Sequence, residues 1–156
     1  NTTPADVVVS TIRENMLANF DYTISRNFKW QSRVQVNTFQ YEGRAKSTGY
    51  ALMQDVEGSI KRLYLKGRVA YFSTDDYDSR VYAFENTVLY AVSFPAYYGK
   101  GTRIYLIGRY VLNQHLDLWL RYARTQLKNK DTMGSGNDLI EGNHKSDMSL
   151  QVRYRF

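Results

Sequence analysis

Along residues 145–156 polar and apolar side chains alternate without a break. Met148, Leu150, Val152, Tyr154 and Phe156 fall on one side, and Asp147, Ser149, Gln151, Arg153 and Arg155 on the other. A period of two places successive side chains on opposite faces of an extended strand, so the segment reads as a strand between two unlike environments, not as a helix. The code recurs upstream. Residues 115–125 set Leu116, Leu118, Leu120 and Tyr122 against Asp117, Trp119, Arg121 and Ala123. Residues 103–112 set Ile104, Leu106, Tyr110 and Leu112 against Arg103, Tyr105 and Arg109. Val88, Tyr90, Val92 and Phe94 form another apolar row, preceded at the same parity by Tyr82 and Phe84. Further back, Leu63, Leu65, Val69 and Tyr71 oppose Lys66 and Arg68, while Leu52 and Val56 oppose Asp55 and Glu57. Val34 and Val36 oppose Arg33, Gln35 and Asn37, and Phe20, Tyr22 and Ile24 oppose Asn19 and Asp21.

Strands with one apolar face, separated by turn residues every ten to fifteen positions, predict an antiparallel all-β meander. Tight turns are expected at Arg26-Asn27, Ile60-Lys61, Glu85-Asn86-Thr87 and Asn113-Gln114, and longer polar loops at residues 42–47, 75–79, 95–101 and 129–144. The two kinds alternate along the chain, as do the short periplasmic turns and longer extracellular loops of outer-membrane barrels. This order counts nine strands from Met16 to Phe156, and residues 7–13, with Val8 and Ile12 on one side, supply a tenth to give the even number such barrels carry. If residues 82–94 form one long strand, the count is eight. The expected fold is therefore an all-β, antiparallel up-and-down transmembrane β-barrel of about ten strands, with eight as the alternative. It forms a single domain over residues 1–156 or the C-terminal segment of a larger barrel.

Composition bears on the solvent of the apolar face. Mean hydropathy is −0.52, and no stretch approaches the roughly 18 uninterrupted apolar residues of a membrane-spanning helix. Spanning strands escape that test, because half of each faces a lumen. Aromatics make up 15% of the chain, fourteen of them Tyr, and Tyr71, Phe94, Tyr110, Tyr122, Tyr154 and Phe156 end the apolar rows where an interfacial belt would lie. The competing class is a soluble, lipocalin-like barrel that binds an apolar ligand, with the same pattern turned inside out. Belt placement, charges of both signs on one face, and the terminal aromatic favour lipid. Cys is absent, which excludes disulfides and thiolate metal sites.

The formal charge of +6 is spread one or two cations per strand, without the basic run that nucleic acid would call for. The polar face collects Arg33, Lys66, Arg68, Arg103, Arg109, Arg121, Arg153 and Arg155 against Asp21, Asp55, Glu57, Glu85, Asp117 and Asp147, a lumen charge network. In a barrel of eight to ten strands these groups fill the interior and pair. In a wider barrel the excess of Arg favours anions along an aqueous path. No catalytic, metal or cofactor site is expected. The two histidines, His115 and His144, fall at opposite ends of the strands, so no shared nucleophile–base arrangement forms. Residues 131–138 lack the spaced carboxylates of a calcium loop, and Gly99-Lys100-Gly101 lacks phosphate-loop spacing.

The row Met148, Leu150, Val152, Tyr154 and Phe156 resembles the C-terminal signal by which the barrel-assembly machinery recognises outer-membrane barrels. A wider likeness covers residues 82–156: Tyr82-Ala83-Phe84-Glu85-Asn86, Val88-Leu89-Tyr90, Pro95-Ala96-Tyr97-Tyr98-Gly99-Lys100-Gly101, Leu118-Trp119-Leu120-Arg121-Tyr122, Gly134-Ser135-Gly136, Glu141-Gly142-Asn143 and Lys145-Ser146. These segments resemble the C-terminal β-barrel region of Bacteroidota-type outer-membrane proteins, many of them named for a helix-hairpin-helix domain. The resemblance implies a Gram-negative outer-membrane location. Its implied partners are outer-membrane lipid, the assembly machinery during insertion, and other outer-membrane or periplasmic proteins. Those proteins are much longer and their helix-hairpin-helix portion has no counterpart here, so nucleic-acid binding is not implied.

Overall fold

In the computed structural model, which describes residues 10–128, 130–134 and 136–156, the alternation becomes seven long strands. They are β1 (Thr11–Ser25), β2 (Phe28–Tyr41), β3 (Ser47–Ile60), β4 (Leu63–Thr74), β7 (Lys100–Val111), β8 (Leu116–Leu127) and β11 (His144–Tyr154). Four two-residue strands lie in the connections: β5 (Val81–Tyr82), β6 (Ala96–Tyr97), β9 (Thr132–Met133) and β10 (Ile140–Glu141). The long strands form one antiparallel sheet in the order β1-β2-β3-β4-β7-β8-β11. The sheet is open, with β1 and β11 as its edges. Register is continuous across it: Leu120 lies opposite Leu150 on one side and Gly108 on the other.

Seven long strands, not ten or eight, are present among the described residues, for two reasons. Thr11, Ile12 and Arg13 belong to the start of β1 and not to a separate strand; the rest of the expected strand at residues 7–13, apart from Ser10, lies outside the described residues. Residues 82–94 form no strand of the large sheet. They belong to a long connection, residues 75–99, whose middle forms an irregular hairpin through the pairs Val81–Tyr97, Tyr82–Ala96 and Glu85–Ser93. The expected tight turn at Glu85-Asn86-Thr87 is therefore inside this hairpin, and the loops expected at residues 75–79 and 95–101 are its two ends. With that change the connections still alternate: short at residues 26–27, 61–62 and 112–115, long at 42–46, 75–99 and 128–143.

One face of the sheet is apolar and bare. Leu120, Leu150 and Val152 are 52%, 69% and 57% exposed, and Met16, Phe20, Val34, Leu52, Val69 and Leu106 are exposed on the same side. On the opposite face Asp117 is fully buried and Arg121 is 5% exposed. A lipocalin-like barrel requires the reverse, with charges in water and the apolar rows inside. An apolar surface of this extent, broken in mid-sheet by the Ser32–Gln54 pair, marks contact with a partner or membrane, since a water-soluble monomer rarely leaves one exposed.

The hairpin of residues 81–97 lies against the charged face. A strip of small or apolar side chains receives it: Ala51, Met53, Ala70, Phe72 and Leu127 pack with Val81, Ala83 and Tyr97. Val88 and Leu89 at its tip pack on Tyr105, Ile107, Trp119 and Ala123. The backbone comes closest at Gly49, where a β-carbon would collide with the carbonyl oxygen of Ser79. Asn37 on β2 donates its side-chain amide to the Arg80 carbonyl at 2.7 Å, tying down the base of the hairpin.

Candidate functional site

The site is built where the hairpin meets the sheet. Glu85, fully buried, is presented by the hairpin to two arginines from different strands. Arg103 of β7 donates Nε to Oε1 at 2.6 Å and Nη2 to Oε2 at 2.9 Å, and Arg121 of β8 donates Nη2 to Oε2 at 2.6 Å. The Tyr97 hydroxyl adds a donor at 3.0 Å. Burial, reinforced by the Glu85 charge, pushes that hydroxyl above its ordinary range, so it stays protonated and donates.

These arginines make further hydrogen bonds. Arg103 Nη1 bonds Thr125 Oγ1 at 2.6 Å, and Arg121 Nε bonds the Asn86 carbonyl at 3.0 Å. Arg68 of β4 holds Asp55 through Nε and Nη2 and gives Nη1 to the Phe84 carbonyl at 2.7 Å. Three guanidinium groups on three strands thus clamp one hairpin. The bidentate fork of Arg suits it to this task in a way a Lys ammonium does not.

A second group lies toward the tight-turn end. Asp117 of β8 accepts from Arg153 of β11, from Arg155 at 3.2 Å and from Arg109 of β7 at 3.4 Å. The guanidinium carbons of Arg109 and Arg153 stand 5.3 and 5.2 Å from the Trp119 ring.

All the other expected network residues lie on the same face, less tightly held. Asp21 accepts from Gln31, Arg33 bonds Asn19 and Gln31, and Lys66 pairs with Glu57 at 3.0 Å in an exposed bridge. Asp147 forms no ion pair among the described residues, and it lines a recess with Arg103 and Lys145 on the loop side. Asp21, Arg33, Asp55, Glu57, Lys66 and Arg68 border a polar recess of about 220 Å³ between the hairpin and β1–β4. Met148, Leu150, Val152 and Tyr154 lie exposed on the apolar face of edge strand β11, where Tyr154 and Phe156 meet edge to face at 5.2 Å. His115 sits at the β7–β8 turn and His144 at the opposite end of β11. Among the described residues no group of three His, Asp or Glu is placed to hold a metal ion.

Sequence reasoning missed Tyr97, Asn86 and Thr125 as partners of the network, and the Ala51, Met53 and Ala70 strip. The strip carried a signal: small residues interrupt the charged positions of β3 and β4 at the points where something packs against them.

No family model and no curated protein matches the sequence. A solved structure, an anion-selective porin from Comamonas acidovorans, matches with a TM-score of 0.63 at 14% identity, over 95% of this chain and 40% of that one. The likeness is one of fold. The chain spans about 40% of that porin's length, and its open antiparallel sheet has the architecture of a section of such a barrel.

Proposed function

We propose that this chain is a section of a porin-like β-barrel of the bacterial outer membrane. Its apolar face meets lipid, and its charged face lines an aqueous path narrowed by the hairpin of residues 75–99. The reading rests on one observation: the greasy side of every long strand is exposed, while on the other face the hairpin that the sheet itself carries covers Glu85, Arg68, Arg103 and Arg121. The likeness to the porin fold and the two unpaired edges support a barrel larger than seven strands. In a wide barrel the polar interior is free to conduct, and cations outnumber carboxylates in the network, which favours small anions. The likeness of residues 82–156 to Bacteroidota-type barrels agrees with the location. No catalytic step and no cofactor enters this reading.

The test uses the native protein that carries this chain. It should require detergent for extraction and change gel mobility on heating. In planar bilayers under a potassium chloride gradient its reversal potential should have the sign of chloride permeation. Recovery as a detergent-free monomer, or a cation-selective pore, would reject the proposal.

A further inference from the structure

We propose that Arg109, Arg153 and Arg155, gathered on Asp117 beside Trp119, form a phosphate-binding site at the tight-turn end of the charged face. The proposal deepens the porin-like reading by naming where on that face an anion is held, and it assigns the task to arginines other than those nearest the hairpin.

The argument starts from donor accounting. A guanidinium has five N–H donors and cannot be left without acceptors cheaply. Arg68 and Arg103 bond through all three guanidinium nitrogens and Arg121 through Nε and Nη2, to the hairpin or to neighbouring strands, and all three are nearly enclosed, with side chains 4%, 9% and 6% exposed. They are fasteners, with little left for a ligand. The turn-end arginines are different. Among the described residues each gives hydrogen bonds from Nη2 alone, all to Asp117. Nε of Arg109 and of Arg153 is buried without any partner. Their side chains are 36%, 28% and 48% exposed in the order Arg109, Arg153, Arg155, so it is the unpartnered Nη1 groups, not the enclosed Nε atoms, that are open to a ligand.

Charge leads to the same ligand. Three guanidinium groups share one carboxylate, and none of the three has a second acidic partner among the described residues, which leaves two positive charges uncompensated. A doubly charged oxyanion restores the balance and offers enough acceptor lone pairs for several forks at once, which chloride does not. Trp119 contributes rigidity. Its buried ring stands beside the guanidinium groups of Arg109 and Arg153, holding both by cation–π attraction before the ligand arrives. The backbone N–H of Arg155 donates to the His115 carbonyl at 2.8 Å, fixing the third arginine beside them. The site faces away from the apolar side, so its phosphate comes from water and not from a lipid headgroup.

Trp119 also supplies the readout. With Trp30→Phe as background, Trp119 is the sole indole of this chain. Inorganic phosphate is titrated into the detergent-solubilised native protein at constant ionic strength, with chloride as the balancing salt and the other tryptophans of any longer chain replaced. A saturable change in Trp119 emission is expected, with affinity falling about tenfold or more in Arg155→Gln, the most exposed of the three. Arg155→Lys, which keeps the charge but loses the fork, should bind more weakly than the parent; it also serves if the Gln variant fails the heat-mobility test for folding. An equal response to chloride and phosphate, no saturation, or unchanged affinity in the folded variants would overturn the site. Arms with phosphatidylglycerol micelles and with free phosphate separate the two sources of the same group, and a response to the lipid alone would overturn the site as well. Binding is read without any current, so saturable binding in a protein that conducts nothing would sink the pore reading and leave this site standing.

Discussion

The carboxylate of Glu85 lies 2.6 Å from the guanidinium of Arg121, across 36 residues of sequence and between a hairpin and a sheet strand that share no backbone ladder. Arg103 reaches the same carboxylate from the neighbouring strand. The hairpin is therefore held by its charges as much as by its apolar strip.

Glu85→Gln keeps the shape and removes the charge, leaving Arg103 and Arg121 buried beside a neutral amide. Breaking one side of a buried ion pair costs about 3 kcal/mol or more. Limited proteolysis of the folded protein should show cutting within residues 75–99 that the parent resists. A protease pattern identical to the parent would show that the clamp contributes little.

Gly49→Ala places a β-carbon against the Ser79 carbonyl oxygen, where no flexible side chain can yield. The base of the hairpin must lift. Faster amide exchange is expected across residues 76–83, with β7 and β8 unaffected.

Leu120→Arg puts a charge at the middle of the apolar face, opposite Leu150 and Gly108. If that face meets hydrocarbon, refolding into bilayers should lose roughly 2–4 kcal/mol. A loss near zero for Leu120→Arg would reverse the facial assignment.

The faces were legible in the sequence because a period of two reports directly which side chains share a surface. The strand count was not. Tyr82, Phe84, Val88, Tyr90, Val92 and Phe94 keep a strand's parity, yet here Val81, Ala83 and Glu85 face the sheet while Tyr90 and Val92 point away from it. Alternation reports two unlike sides without saying whether the neighbour is another strand or the face of a sheet. Tyr90, with a φ of +64°, and Pro95 are the local marks of an irregular path. The charged set was legible as a set, but its division into the Glu85 and Asp117 groups depends on register between distant strands, which single-strand parity does not contain.

The base of the hairpin also responds to acid. Ser47 Oγ donates to Asp76 Oδ1 at 2.6 Å, and the amides of Ser79 and Asp78 donate at 3.0 and 2.9 Å. The Ser47 hydroxyl first, and then these amides against the cost of desolvation, hold the Asp76 carboxyl below its usual range. A carboxyl lowered on folding stabilises fully above its unfolded value, about 3.9, and the contribution is lost as pH falls through the lower folded value. Protection of the Ser79 amide, corrected for intrinsic exchange, should be flat from neutral pH down to about 4 and drop below it. Asp76→Asn should lack that acid drop.

The outer margins of the sheet constrain whatever adjoins them. Along β1 and along β11 every other amide and carbonyl points sideways with no strand among the described residues to receive it, and in the porin-like reading hydrocarbon offers no substitute partner. A segment that completes either margin must run antiparallel and bring its own greasy residues level with Met16 and Phe20 on one side, or with Leu150 and Val152 on the other. A neighbour shifted by a single residue would turn its charges toward the apolar face, so the alternation of this chain prescribes the alternation of the strands next to it.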